Sequence, residues 1–251
     1  MFQRILSFLG AAAAMFALGG CKHAAESGRP LRALLVTGGC CHNYAFQSQA
    51  LTNAVARHAP VSWTVVNEGG TGTRAEIPLY ARPDWAKGYD VVVHNECFAD
   101  TTAPDYIRQI TAAHKAGTPA VVIHCAMHTY RSATIDDWRE FLGVTSKRHD
   151  HQSNYPVKKV TAHPILRDVP DNWVTAKDEL YIIDKLWPNA RALATSRSER
   201  DGKDHPVAWI NQYGKARVFG TTYGHSDDTF RDPVFLNMVS RGLLWSAGRV
   251  E

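Results

Sequence analysis

From Leu31 onward, short unbroken apolar runs alternate with amphipathic stretches, the pattern that parallel strands covered by helices leave in a sequence. Leu31 to Thr37 reads as a buried strand ended by Gly38-Gly39. A helix is predicted over about Phe46 to His58, with Ala50, Leu51, Ala54 and Val55 on one face. Val61 to Asn67 is the second strand. Asp90 to His94, whose Val91-Val92-Val93 has no polar interruption, reads as a central strand buried on both faces. Pro104 sits at the first turn of a helix that turns Ile107, Ile110 and Ala113 to the sheet and is closed by Gly117. Ala120 to Ile123 is the next buried strand. Near Lys147 the pattern changes to strands separated by turns, at Pro156 to Val160, Tyr181 to Asp184, Ala192 to Thr195, Val207 to Asn211 and Arg217 to Thr221. Tyr213-Gly214-Lys215 forms a hairpin tip among them. The last helix takes Asp232 as cap and Pro233 as first residue, and buries Phe235, Met238, Val239 and Leu243. The expected fold is α/β, one domain over 31–248, with a mostly parallel central sheet and an added C-terminal β-rich portion.

The N-terminus follows another rule. Arg4 precedes an apolar run from Ile5 to Ala17, then Leu18-Gly19-Gly20-Cys21. That run is too short for the roughly 20 residues that span a bilayer. It reads as a secretory signal over 1–20, and the small residues before Cys21 resemble a lipobox, with acylation of Cys21 and a polar tether over 21–30. The expectation is an exported lipoprotein facing the periplasm or cell surface, touching the membrane only through its lipid. A formal net charge of +4 with no basic run gives no footing for nucleic acid.

Titratable residues collect where parallel sheets bind ligands, beyond the carboxyl ends of the strands. Cys40, Cys41, His42 and Asn43 follow the first strand; His94, Asn95, Glu96 and Cys97 the third; His124, Cys125 and His128 the fourth; Tyr223, Gly224 and His225 the last long one. His124 and His128 face one side if their segment is helical, and His149, on a later loop with His151, would close over them. Such a set suits one divalent ion, zinc or manganese, or else a hydrogen-bonded pair without an ion. Glu96, ending an apolar strand, reads as a general acid or base or as a cap for the next turn. Glu179 reads only as an exposed acidic residue. Cys40, Cys41, Cys97 and Cys125 share one edge, as free thiols or with a disulfide in one of three pairings. No nucleotide-cofactor motif is present.

The chain resembles the ThuA-like family, named for a trehalose-utilisation protein and related in fold to class I glutamine amidotransferases. The carriers are Thr37-Gly38-Gly39 with His42 and Tyr44, Tyr89 to Val93, Val122-Ile123-His124, and Trp138 to Gly143 with His149. They continue through His163-Pro164-Ile165, Asp178-Glu179-Leu180-Tyr181, Pro206 to Trp209, Arg217-Val218-Phe219, Gly224-His225 and Leu244-Trp245. The resemblance implies a flavodoxin-like three-layer sandwich and a role in carbohydrate catabolism, on small sugars first oxidised to 3-keto derivatives by a partner sugar 3-dehydrogenase. A 3-keto group acidifies the adjacent C–H bond, so lyase, hydratase or epimerase chemistry through an enol is expected. His42, Glu96, His124, Glu179 and His225 are then the catalytic candidates. Asn43, Tyr44, Asn95, Arg148 and Tyr223 are the substrate-binding candidates, and His124, His128 and His149 the metal candidates. Cys40-Cys41 and His128 depart from the family pattern.

Two readings compete. Cys125 could be the nucleophile of an amidotransferase-type thiol hydrolase with His225 and Asp227, although Ile123 and Met127 are bulky for a nucleophile elbow. Alternatively, a non-catalytic sugar-binding lipoprotein would use aromatic residues such as Trp63, Trp85 and Trp187 as stacking surfaces.

Overall fold

The computed structural model describes residues 29–250. The leader, Cys21 and most of the expected tether lie outside the described residues. The first half alternates as its pattern requires: β1 (Leu31–Gly39), α1 (Tyr44–Ala56), β2 (Val61–Asn67), β3 (Val91–Cys97), α2 (Pro104–Ala116) and β4 (Ala120–Ile123). The second half holds α3 (Asp137–Leu142), β5 (Val144–Ser153), β6 (Lys158–Lys159), β7 (Asp178–Leu186), β8 (Ala190–Arg197), β9 (Asp204–Tyr213), β10 (Ala216–Thr221) and α4 (Pro233–Ser246).

Eight strands make one sheet in the order β2-β1-β3-β4-β10-β9-β8-β6. Neighbours from β2 to β10 are parallel; β9, β8 and β6 extend the sheet antiparallel. Strands β5 and β7 pair with each other in a separate antiparallel ribbon. The added β-rich portion is thus split between a sheet extension and a ribbon. The sequence pattern predicts a loop carrying His149 and His151, but Val144–Ser153 is a strand. Its sequence is polar because only β7 pairs with it, and register shifts at Ser146–Arg148 and His149–Gln152 interrupt its alternation.

The period of two along each central strand divides the core into two layers. Leu31, Ala33, Leu35, Val91, Val93, Val121 and Ile123 pack with Leu51 and Val55 of α1 and Phe235, Val239 and Leu243 of α4. Leu34, Val36, Val92, Ala120 and Val122 pack on the other face with Ile107 and Ile110 of α2 and Trp138 and Phe141 of α3. The result is the expected three-layer sandwich. No helix among the described residues is long and apolar enough to cross a membrane.

Helix α4 lies so close to the sheet that a Cβ on Gly242 would meet the Phe219 ring of β10. Replacing a helical glycine by alanine ordinarily stabilises by about 1 kcal/mol, whereas overfilling a closed core costs about 1–3 kcal/mol. Gly242→Ala is therefore expected to lower the urea unfolding midpoint with an unchanged m-value. A raised midpoint would show that the helix can lift from the sheet at no cost.

Candidate functional site

The chain leaves β1 for β2 on one flank and returns to β3 on the other, so the sheet order reverses at β1/β3, the place where open α/β sheets bind ligands. At Gly39, with φ +98°, the turn after β1 rests directly on the Cys97 backbone, and a Cβ there would run into the Cys97 carbonyl. That contact sets Cys40, Cys41 and His42 beside the end of β3. Strand β4 ends abruptly at His124, whose φ of +47° is uncommon for a residue with a side chain, and a 3₁₀ turn follows to Met127. Gly224 packs against this corner, where a Cβ would stand 2.9 Å from Ile123 Cγ2 and 3.0 Å from His124 Cβ. His124 Nδ1 donates to the Thr222 carbonyl at 2.6 Å, which leaves its Nε2 lone pair facing Tyr181 Oη at 3.3 Å and Glu179 Oε2 at 3.7 Å.

Around this corner opens a cleft of about 210 Å³ lined by Cys40, Cys41, His42, Thr73, Cys97, Ala99, Cys125, His128, Arg131, His149, Glu179, Tyr181 and His225. It is smaller than the roughly 300–1,000 Å³ clefts that take drug-sized ligands, a size suited to one sugar unit. A larger depression of about 610 Å³ lies by Arg29, Asp90 and Gly117, at the amino ends of the strands. It gathers no comparable set of acids and bases.

Glu179 is the hub of the cleft. Its Oε1 stands 3.3 Å from His225 Nδ1, and its Oε2 stands 3.7 Å from both His149 Nδ1 and His124 Nε2. The Gln152 amide reaches His225 Nε2 at 2.7 Å. Burial pushes the Glu179 pKa up, but the hydrogen bond and charge of His225, with His149, outweigh it and hold the group below the usual carboxylate value. His225 moves the opposite way, raised above 6.5 chiefly by Glu179. His42 is pushed down to about 4 by burial and by His225. His124 and His128 are held well below the usual histidine value, first by burial. The cleft therefore sets a carboxylate whose pKa is lowered beside an imidazole whose pKa is raised. Behind them the buried Asp178 carboxylate, raised to about 6 by desolvation, accepts from the Glu179, Gly224 and His225 amides and the Thr229 hydroxyl.

Of the catalytic candidates, His42, Glu179 and His225 reach the cleft. His124 is sealed beneath it and touches it through Glu179 and Tyr181. Glu96 is elsewhere: fully buried on the α2 face, it receives the Tyr80 hydroxyl at 3.1 Å and lies 2.8 Å from His94 Nδ1. His94 Nε2 in turn meets His114 Nε2 at 3.0 Å, so His114 of α2 belongs to the core. The substrate-binding candidates do other work. Asn43 caps α1 and donates to Asp227; Tyr44 donates to the Cys40 carbonyl; Asn95 donates to Gln47; Tyr223 is core and donates to Ser196; exposed Arg148 pairs with Asp184. His128 and His149 do not join His124. A four-residue spacing aligns side chains only on an α-helix, and this segment is a 3₁₀ turn with a left-handed start. His128 instead contacts Ser146 at 3.0 Å and stacks on Tyr181 at 3.9 Å. The ring nitrogens that come within 4.8 Å of one another, close enough to hold an ion, are those of His42, His124 and His225.

Sequence reasoning passed over Tyr181, Gln152 and Asp178 as site residues. The Asp-Glu-Leu-Tyr run signalled the first and third, since alternation on β7 must send Glu179 and Tyr181 one way and Asp178 the other. Gln152 carried no signal. The four cysteines do gather at one edge, in two disulfides, Cys40–Cys41 and Cys97–Cys125. Cys125 is thus bonded rather than a free nucleophile, and the strained elbow belongs to its neighbour His124.

A family model described as ThuA, trehalose utilisation, matches residues 32–246. No curated protein matches the chain. Among solved structures, a ThuA-like protein from Parabacteroides merdae superposes with a TM-score of 0.72 at 20% identity, covering 88% of this chain and 92% of that one. A ThuA-like protein from Bacteroides uniformis gives 0.67 at 14% identity over 94% and 95%. A protein described as a component of GMP synthase from Thermoplasma acidophilum gives 0.53 at 12% over 86% and 96%, which places the fold beside the class I glutamine amidotransferases.

The coupling of the two cleft groups has a sign that can be measured. With its partner removed by Glu179→Gln, the His225 pKa is expected to fall from above 6.5 to or below it, because the largest raising influence is lost while burial still lowers it. Histidine NMR titration reads this directly, and an unmoved His225 resonance would show that the two groups do not interact.

Proposed function

Because the chain belongs to the ThuA family of trehalose utilisation, we propose that it is an exported lipoprotein enzyme of carbohydrate catabolism that acts on a 3-keto sugar or glycoside by proton abstraction through an enol. The observation that carries this reading is the Glu179–His225 pair, a carboxylate 3.3 Å from an imidazole on the wall of one cleft, each shifting the other's pKa so as to favour the charged form. Glu179 takes the proton from the carbon next to the keto group, and the C–H electron pair moves into the carbonyl to give an enolate. Protonated His225 and the Tyr181 hydroxyl donate toward the developing oxyanion. His225 then gives its proton to the departing glycosidic oxygen, which completes an elimination. His124 positions Tyr181 and Glu179 from behind.

The histidine trio of His42, His124 and His225 fits a divalent ion such as zinc or manganese: His42 Nδ1 faces the His225 carbonyl at 3.1 Å and His124 Nδ1 the Thr222 carbonyl, the outer contacts that orient metal-binding imidazoles. When bound, such an ion would supply a Lewis acid for the keto oxygen in place of protonated His225, whose ligating nitrogen must be free of its proton. A partner 3-dehydrogenase would supply the keto sugar. A purely sugar-binding lipoprotein would leave the Glu179–His225 pair without a task.

Glu179→Gln is expected to lower turnover of a 3-keto-glucoside about 10²–10⁴-fold and to abolish exchange of its α-hydrogen with deuterated solvent. Binding without turnover or exchange in the wild-type chain would replace the enzyme with a binding protein. Cys21→Ser is expected to move the protein from the membrane fraction to the soluble one; retention in the membrane fraction would remove the lipid anchor.

A further inference from the structure

The proposed reaction makes no use of the sulfur atoms that line the same cleft. Cys40 and Cys41 come from the turn after β1, Cys97 from the end of β3 and Cys125 from the turn after β4. Cys40 Sγ lies 3.7 Å from Cys97 Sγ, across from the bond that each makes to its own partner. Two thiolates on a tetrahedral zinc with Zn–S bonds of about 2.3 Å stand about 3.8 Å apart, so this pair already has the spacing of two sulfurs that share an ion. Cys125 is within bonding distance of Cys97, and the ligand atoms of His42, Cys97 and Cys125 lie within 4.8 Å of one another, as do those of Cys40, Cys41 and Cys97. Cys97 and Cys125 are only 2% and 7% exposed, which shields an ion there from water.

We propose that, once both disulfides are reduced, Cys40, Cys97, Cys125 and His42 form a closed tetrahedral site for one thiophilic ion of the zinc class. Cys41 is the sulfur left over. It is exposed, its backbone is in the left-handed region at φ +85°, and adjacent cysteines cannot easily reach two corners of one tetrahedron. A dithiol reductant gives two electrons and two protons to each disulfide and is itself oxidised to a disulfide. The ion then displaces the protons of three thiols. This inference does not rest on the enol reaction. The two touch at His42, which an ion held by sulfur withdraws from the histidine trio.

The test uses the full chain, reduced anaerobically with a dithiol, freed of reductant and titrated with zinc or cadmium, beside an untreated sample. The reduced protein is expected to take up one ion per chain more than the oxidised protein, with a thiolate-to-cadmium charge-transfer band. Alkylation followed by peptide mapping should then label Cys41 while zinc protects Cys40, Cys97 and Cys125. Cys97→Ser and, as a variant at a less buried position, Cys40→Ser are each expected to lose the extra ion, while Cys41→Ser keeps it. Equal uptake by reduced and oxidised protein, survival of the extra ion in both Cys97→Ser and Cys40→Ser, or protection of Cys41 in place of Cys40 would overturn the proposal. A His124→Ala chain that loses turnover but keeps reduction-dependent uptake would separate this site from the reaction.

Discussion

Four donors from three segments converge on the fully buried carboxylate of Asp178: the amide of Glu179 beside it on β7, the amides of Gly224 and His225 beyond β10, and the Thr229 hydroxyl. Removing the carboxylate would take a shared acceptor from these donors, of which Thr229 still meets the Ser226 hydroxyl at 3.2 Å; a buried donor left unpaired costs about 1–3 kcal/mol. The carboxylate thereby fastens the ribbon to the main sheet at one point. Successive side chains on a strand point in opposite directions, so once Asp178 is turned inward, Glu179 is turned into the cleft and Tyr181 follows it. The same contact fixes where His225 begins. The separation of Glu179 and His225, and with it the opposed shifts of their pKa values, follows from a group that never touches the cleft.

A similar parity argument explains the other end of the sheet. Along β3, Val92, His94 and Glu96 face the α2 layer, whereas Val93, Asn95 and Cys97 face α1. Both carboxylates that the sequence offers beside apolar runs are therefore buried, but only one reaches the ligand side. Glu96 is occupied by Tyr80 and His94 in a polar chain that continues to His114 and the Thr118 carbonyl. Hydrogen-bonded throughout most of its length, that chain joins β3 to α2 within an otherwise apolar layer, where polar groups persist only if partnered.

Much of this was legible in the sequence. Unbroken apolar runs at Ala33 to Val36, Val91 to Val93 and Ala120 to Ile123 marked β1, β3 and β4 because strand segments covered on both faces need no polar positions, and Pro104, Gly117 and Pro233 marked helix ends for local steric reasons. The convergence of cysteine and histidine at one edge was legible for the same reason, since it needs only strand direction. Strand β5 was not, because a bulged strand pairing with a single neighbour loses the alternation that betrays it. Nor was the division of labour among the candidates: which of Glu96 and Glu179 opens to the cleft, and whether His128 or His225 accompanies His124, depend on strand parity and on the φ of one residue. Of the candidates for substrate contacts, Asn43, Tyr44, Asn95 and Tyr223 make capping or internal hydrogen bonds, roles that polar residues near strand ends also fill, and Arg148 pairs with Asp184.

The ribbon has a further meaning for the cleft. Strand β5 shares no ladder with the eight-stranded sheet; it pairs with β7, which is itself fastened by Asp178, and is held to the turn after β8 by Asp150, whose carboxylate accepts from the Glu199 and Arg200 amides. A slipped register in β5 would therefore be felt in the cleft, because it would move His149 against Glu179 and Gln152 against His225. The ribbon and the acid–base pair are thus coupled, and the shape of the cleft depends on a strand that lies outside the main sheet.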